Sequence, residues 1–410
     1  MTLLRRLMAS GVPSLLASGA IAGTPLLGLF VFDATEYRTW ALVATVSTVA
    51  MSLDLGTQSM AMRLPSTGPA DKAGVAGLIP LAVMGPIGAT FAFLAIWAVA
   101  STTFGETGFP QHHILIAIAI TGIGCGWRSA SNVTLALFLG LGRFKQRAAI
   151  VTTSAFLQLG ATGVALTAGA GLFSLPIGVL FGSFVQWLMV ITVRDLPRGD
   201  KRHSDAYLRE RRSFAMSKGL VTALGLSVTQ MDRWVLAVLM PVDIFRIYDS
   251  ALRVVILGKQ AIIVGTQGLV AESAASSPQR VFSTSLKIVS TLSALLFSAS
   301  AVSAFFVLSA TDSFGLAGWV VLLASAGHCV NLVTLPASLV LTGAGRPSVE
   351  LWYVAPLAVT VFLCYWAALL LDDWRFAVSG WSAALVLSST IFVFVTPSLL
   401  KRNAHEAVPS

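Results

Sequence analysis

The chain contains 410 residues, 56% of them hydrophobic and only 11% charged, and its mean hydropathy is +0.81. This composition excludes a water-soluble globular domain, in which roughly 25% of the residues are charged. The net charge of +9 does not indicate a nucleic-acid-binding protein, because the basic residues fall mainly on one side of a predicted membrane.

Twelve long apolar runs predict twelve transmembrane helices, since about 20 residues at a 1.5 Å rise cross the hydrocarbon core. The runs lack the alternation of barrel strands, so the predicted fold class is an all-α integral membrane protein. The first run has small residues typical of a signal-peptide cleavage site, but it is longer than such a peptide, which favours a membrane span. The predicted spans are residues 8–32, 39–62, 74–100, 113–141, 148–170, 173–193, 215–240, 245–271, 283–309, 316–342, 350–371 and 378–400.

The distribution of lysine and arginine predicts the orientation of these spans. Twenty of them lie in the termini and loops of one side, whereas only Arg38, Arg246 and Arg375 lie in the loops of the other. Because positive residues are retained on the cytoplasmic side, we expect both termini to be cytoplasmic.

One long polar segment divides the chain into two sets of six spans. We predict an N-terminal lobe over residues 1–194, a basic cytoplasmic linker over 195–213 and a C-terminal lobe over 214–410. The linker arginines are interpreted as topology determinants, with binding of anionic lipid headgroups as the alternative.

The two halves contain a weak internal repeat. Tyr37 and Arg38 precede Phe245 and Arg246 by 208 positions, and the tripeptide Gly-Thr-Gln at 56–58 recurs 209 positions later. Each half has an even number of spans, so the repeat is parallel and its pseudo-two-fold axis lies along the membrane normal. Two such lobes are expected to enclose a central cavity.

Charged residues inside the spans are the candidate functional residues, because each costs at least ~2.5 kcal/mol on insertion scales. Four are cationic and three are anionic, and this surplus predicts a cationic cavity that binds an anion. Asp249 and Arg253 are four residues apart and can pair, and Asp249 is near enough to the outer end of its helix to reach the interface. The alternative is that all seven tie helices together. The predicted anion-binding residues are Arg128, Arg233, Arg253 and Lys259, and Asp54, Asp232 and Asp249 are assigned to ion coupling or structural pairing.

No enzymatic motif is found in the sequence. It has no phosphate-binding glycine loop followed by Lys and Ser or Thr, no zinc-binding His/Glu pattern and no nucleophile elbow, so neither an enzyme nor a cofactor or metal site is predicted. The three cysteines lie within spans without paired spacing. We interpret His328 as a hydrogen-bonded packing residue, with a proton-relay role as the alternative.

Three segments resemble bacterial polysaccharide flippases of the multidrug/oligosaccharidyl-lipid/polysaccharide (MOP) superfamily. They are "FDATEYRTWALV...LDLGTQSMAMR", "LGLGRFKQRAAI" and "QMDRWVLAVLMPVDIFRIYDSALRV". The resemblance implies two six-helix lobes in a V around a cationic cavity, in a bacterial inner-membrane protein. It also implies transport of a polyprenyl-diphosphate-linked oligosaccharide from the inner to the outer leaflet for surface or exopolysaccharide synthesis. Partners would be membrane lipids and, in synthesis, a polysaccharide polymerase and glycosyltransferases, but no nucleic acid.

On this interpretation Arg233 faces the cavity as part of a diphosphate site, and Asp232 pairs with a basic residue such as Arg253. Two other functions stay open. An ion-coupled multidrug antiporter of the same fold would need a free carboxylate, for which Asp54 is the best candidate. A non-transporting scaffold of an envelope-synthesis complex has no use for a polar interior, so buried unpaired charges argue against it.

Overall fold

The computed structural model is almost entirely helical over the residues that it describes, which are 13, 16–17, 19–21, 23–67, 75–101, 103, 106–193, 205–267, 269–275, 277–309 and 314–406. Short 3₁₀ helices cover Thr24–Phe30, Gly171–Phe173 and Pro347–Glu350. The α-helices are α1 Ala34–Ser52, α2 Thr57–Thr67, α3 Ile79–Ala100, α4 Gln111–Gly140, α5 Phe144–Thr167, α6 Ser174–Thr192, α7 Asp205–Gln230, α8 Asp232–Leu239, α9 Val242–Thr266, α10 Leu269–Ala275, α11 Pro278–Ser309, α12 Phe314–Leu332, α13 Leu335–Gly343, α14 Leu351–Leu371 and α15 Trp374–Glu406.

Nine helices in the described part of the chain are long and apolar enough to cross a membrane. They match the second to sixth and the ninth to twelfth predicted spans. The predicted seventh span is α7 with α8 and the eighth is α9 with α10, and these two contain five of the seven charged candidates. Nine of the 25 residues of the predicted first span lie outside the described residues, and its C-terminal part contains the 3₁₀ helix Thr24–Phe30.

The predicted linker over 195–213 overlaps the start of α7, which begins at Asp205. The segment before the membrane is rich in Arg, Glu and Leu, which are good helix formers, so the helix extends beyond the apolar run. Residues 195–204 lie outside the described part of the chain.

Several predicted spans are broken by a change of backbone direction. Leu55 and Gly56 have φ of 50° and 74° and separate α1 from α2, whereas Pro336 stands in the first turn of α13, just after α12 ends. Positive φ and proline both interrupt the helical hydrogen-bond ladder. The sequence predicted one apolar span across each break, with a proline bend expected at Pro336 and no break expected at Leu55 and Gly56.

The turns after α4 and α13 support the internal repeat. Gly142 and Gly345, 203 positions apart, both have positive φ, of 72° and 82°. The amide of Arg143 donates to the carbonyl of Phe138 at 2.8 Å, and the next amide after Gly345 makes the equivalent bond at 2.9 Å. Both turns are Schellman caps, for which a left-handed glycine is the usual residue.

The helices form two bundles, α1–α6 (the N bundle) and α7–α15 (the C bundle). Trp40, Trp97, Trp234 and Trp381 are buried in one aromatic and aliphatic core that joins the bundles. Exposed apolar side chains such as Phe91 cover the outside, as expected of a surface that faces lipid. We name the end of the α8–α9 turn the outer end and that of the α4–α5 turn the inner end. The bundles meet at the outer end through α1 with α8 and α9, and at the inner end through α2 with α10.

Candidate functional site

Asp249 on α9 binds two arginines in the outer half of the C bundle. Arg233 Nε lies 2.7 Å from Asp249 Oδ1, and Arg253 Nε lies 2.6 Å from Asp249 Oδ2. Arg233 also donates to Gln230 Oε1 at 2.6 Å. All three charged side chains are buried, so the predicted pairing of Asp249 with Arg253 is confirmed.

Two details of the predicted pairing are wrong. Asp232 does not pair with Arg253: its Oδ2 accepts a hydrogen bond from the Tyr248 hydroxyl at 2.6 Å, because the α8–α9 hairpin places these residues face to face. Asp249 does not reach the interface, since it is 0% exposed. Arg233 lies against Asp249 instead of an open cavity in this conformation.

The same cluster joins the two bundles. The Tyr37 hydroxyl on α1 donates to Asp249 Oδ2 at 2.8 Å, and Arg253 Nη2 donates to the carbonyl of Ala41 at 3.2 Å. We name these two bonds the outer seam. Opening the space between the bundles at the outer end requires both bonds to break.

Asp54 is a helix cap. Its carboxylate accepts the backbone amides of Gly56 at 3.1 Å and Gln58 at 2.8 Å, at the start of α2. Acidic side chains are favoured there because the first amides of a helix have no partner within it. This capping role accounts for a buried aspartate that the sequence offered as an ion-coupling candidate.

Close packing joins the bundles near the inner end. A Cβ on Gly56 would lie 2.7 Å from Lys218 Cβ, and one on Gly219 would lie 3.0 Å from Leu55 Cδ2. The α1–α2 turn therefore approaches α7 only because both positions are glycine.

Arg128 on α4 has only neutral partners in the described part of the chain. Its Nη1 donates to Gln158 Oε1 at 2.5 Å and lies 3.6 Å from Met51 Sδ. Its Nε and Nη2 have no hydrogen-bond partner among the described residues, although the side chain is 3% exposed. Gly182 makes room for this guanidinium, since a Cβ there would lie 3.0 Å from Nη2.

Lys259 on α9 is the corresponding cation of the C bundle. Its Nζ donates to Asn331 Oδ1 at 2.9 Å and lies 3.5 Å from His328 Nδ1. No ion pair involves Lys259 within the described ranges.

These two cations occupy related places in the repeat. Arg128 is 203 positions before Asn331, as Gly142 is before Gly345, and Met51 is 208 positions before Lys259. In the repeat, Arg128 corresponds to Asn331 and Met51 corresponds to Lys259, so the contact of Arg128 with Met51 corresponds to that of Asn331 with Lys259. The cation is on α4 in the N bundle and on α9 in the C bundle. In the described chain Arg128 and Lys259 are therefore two cations without an ion-pair partner at positions that the repeat relates.

We infer a space between the bundles at this depth from the partial exposure of three helical segments. Every residue in 222–227 on α7 and 257–263 on α9 is partly exposed, as are residues 51–52 at the end of α1 and Leu53 after it. Successive helical residues point about 100° apart, so a run of six or seven residues covers every face of its helix. Partial exposure of the whole run therefore includes the face toward neighbouring helices as well as the face toward lipid. We name the space flanked by these three segments the central hollow. Lys259 belongs to it, and Arg128 lies directly behind Met51.

Sequence reasoning missed the neutral partners, Tyr37, Gln158, Tyr248 and Asn331. Polar side chains of this kind are common in membrane helices, so none of them is conspicuous alone. Only the packing of the helices shows which charged residue each of them contacts. Tyr37 was noted in the sequence as part of the repeat, but not as a partner of a charged residue.

No protein-family model and no curated protein sequence matches this chain. Solved structures do match over nearly its whole length. One described as MATE in the bent conformation has a TM-score of 0.72, 14% identity and coverage of 99% of this chain and 98% of its own. An outward-facing multidrug resistance MATE family transporter of the MOP superfamily has a TM-score of 0.71, 16% identity and coverage of 98% and 97%.

A third structure is a MOP superfamily transporter from Pyrococcus furiosus, described by the reverse polarity of its binding pocket, which suggests a different function. It has a TM-score of 0.72 and 13% identity, and it covers 98% of this chain and 97% of its own. The second and third of these structures are described as transporters. The chain is a multi-pass membrane protein with the twelve-helix fold of MOP superfamily transporters.

Proposed function

We propose that this chain moves a polyprenyl-diphosphate-linked oligosaccharide from the inner to the outer leaflet by alternating access, for surface or exopolysaccharide synthesis. The observation that carries the proposal is the pair of cations beside the central hollow, Arg128 and Lys259, neither of which has a carboxylate partner in the described chain. A cationic space with low-dielectric walls attracts anions, and guanidinium binds phosphate oxygens in a fork.

The other two predicted anion-binding residues contribute to this proposal only after the outer seam opens. Arg233 and Arg253 are held by Asp249 while the outer seam is closed. When the seam opens, Arg253 loses its bond to the N bundle and becomes available to the departing diphosphate. The proposal also includes the location, topology and partners of the chain. It places the chain in a bacterial inner membrane with cytoplasmic termini and lobes 1–194 and 214–410, and it expects cooperation with a polymerase and glycosyltransferases.

An ion-coupled multidrug antiporter is the second candidate. It is supported by the multidrug resistance MATE transporter among the structures of the same fold. In this chain Asp232 replaces Asp54 as the coupling candidate, because Asp232 Oδ1 is buried without a hydrogen-bond partner in the part described. Asp54 is already used as a helix cap.

Deletion of the gene in its host, followed by complementation, tests the proposal. Loss of surface or secreted polysaccharide, with diphosphate-linked oligosaccharide accumulating in the membrane, is the expected result. Arg128→Gln and Lys259→Gln should fail to restore export, whereas Arg280→Gln and Lys287→Gln, at exposed positions, should restore it. Normal polysaccharide together with increased sensitivity to cationic drugs would favour the antiporter.

A further inference from the structure

Two basic side chains face each other inside the C bundle. Lys259 Nζ on α9 lies 3.5 Å from His328 Nδ1 on α12. His328 is 1% exposed, its ring meets the Trp381 ring edge to face at 5.1 Å, and its Nε2 has no hydrogen-bond partner among the described residues. Lys259 is partly exposed, so it lies between the buried imidazole and the central hollow.

The geometry disfavours a positive charge on both groups at once. Two unit charges 3.5 Å apart in a medium of low effective dielectric constant repel strongly. When Lys259 is protonated, its N–H donates to a neutral His328 and the imidazole proton resides on Nε2. The pair therefore has two basic nitrogens, Nζ and Nδ1, that compete for one proton.

Among the described residues, no acidic side chain bonds to either member of the pair to compensate a second proton. The nearest groups are neutral or cationic, and no carboxylate forms an ion pair with Lys259 in the described ranges. Asn331 and Trp381 contact the pair directly, and Cys329 and Arg233 act on it electrostatically. Behind them, Asn331 donates to Tyr353 and Ser389, and Ser293 donates to the Cys329 carbonyl.

We propose that Lys259 and His328 form a proton-binding site whose occupancy sets the charge of the central hollow. With the proton bound, the hollow has a cation in each bundle. When the proton leaves Nζ of Lys259 for water in the hollow, Arg128 is the one of these two cations that remains charged, because a guanidinium stays protonated. Linkage then requires that an anionic cargo promotes proton uptake and a cationic cargo promotes proton release. The proposed proton site is the same for an anionic and for a cationic cargo, so it does not depend on the proposed substrate.

Nitrogen NMR of the histidines tests the site without any cargo. The full chain, with its five histidines labelled with ¹⁵N and placed in lipid bilayers, is titrated from pH 5 to 9, and His328→Gln identifies the His328 signals. We expect the His328 nitrogen shifts to change over this range and the midpoint to move by one pH unit or more in Lys259→Gln. His112→Gln, at an exposed histidine, should leave the His328 titration unchanged. Constant His328 shifts from pH 5 to 9, or a midpoint that Lys259→Gln does not move, would overturn the proposal.

A second measurement separates this inference from the proposed function. Farnesyl diphosphate or ethidium is added to the purified protein in weak buffer, and the protons taken up or released are counted with a pH dye. Uptake with farnesyl diphosphate, absent from His328→Gln and Lys259→Gln, supports both proposals. Binding of ethidium alone, with release of protons that both variants lose, keeps the proton site and overturns the flippase function. Cargo binding with equal proton counts in wild type and variants would overturn the proton site.

Discussion

Arg128 in the N bundle and Arg233 in the C bundle are buried to a similar extent, at 3% and 2% exposure, but they are neutralised differently. Arg233 shares the carboxylate of Asp249 with Arg253, whereas Arg128 is bound by the amide of Gln158 and the sulfur of Met51. A buried charge with neutral partners is unfavourable for stability, so its retention indicates a role in function. A buried charge with a carboxylate partner has a sufficient structural explanation.

The comparison divides the charged residues into two groups. Asp54, Asp249 and Arg233 have direct partners that account for their burial, in a helix cap or an ion-pair cluster. Arg128 and Lys259 have no such partner among the described residues and flank the central hollow. We therefore expect substitutions in the first group to change stability and those in the second to change ligand binding.

The largest effect is expected from Asp249→Asn, which removes the carboxylate from two buried arginines. Breaking a buried pair from one side costs roughly 3–5 kcal/mol, so the variant should unfold at a markedly lower temperature or fail to accumulate. Thermal unfolding in detergent measures this, with Asp243→Asn, an exposed aspartate on the same helix, as the matched control. Equal unfolding temperatures for Asp249→Asn and the wild type would contradict the structural role of the cluster.

Gln158→Glu gives Arg128 a carboxylate partner in the N bundle, as Asp249 provides one for Arg233 in the C bundle. It places a carboxylate 2.5 Å from Arg128 Nη1 and so cancels the charge behind the hollow. A unit charge about 8 Å from a bound anion, at an effective dielectric constant of about 20, contributes ~2 kcal/mol, so we expect about thirty-fold weaker binding of farnesyl diphosphate.

The Gln158→Glu protein should unfold at or above the wild-type temperature, since the arginine gains a counter-ion. Gln158→Met is the companion variant, because it removes the amide without adding charge and should retain most of the anion affinity. Undiminished anion affinity in Gln158→Glu would show that Arg128 does not act on the ligand.

Tyr37→Phe is expected to have the smallest effect, because it removes one hydrogen bond of the outer seam and no charge. Losing a hydroxyl bond to a charged group costs about 1.5 kcal/mol, which is about a ten-fold shift toward opening at the outer end. Spin labels on the outer ends of α1 and α9 would report this as a larger population of long distances. An unchanged distance distribution would mean that the seam does not hold the bundles together.

The sequence predicted the fold class, and nine of its twelve predicted spans match helices of the described chain that are long and apolar enough to cross a membrane, because long apolar runs have few alternatives there. It also predicted the pairing of Asp249 with Arg253, which depends only on their spacing along one helix. The partner of Asp232 depends on the α8–α9 hairpin, and the capping by Asp54 depends on a helix break at Leu55 and Gly56. Contacts between distant helices, such as that of Arg128 with Gln158, leave no signal in a single sequence.

The most direct test of the central claim, that the hollow selects an anion, is equilibrium binding to the purified protein in lipid nanodiscs. Farnesyl diphosphate and ethidium are titrated into the wild type and into the Arg128→Gln/Lys259→Gln double variant. The account predicts that the wild type binds the diphosphate at least ten-fold more tightly than ethidium and that the double variant loses this preference. Tighter binding of ethidium by the wild type, or a preference for the diphosphate that survives in a folded double variant, would contradict the account.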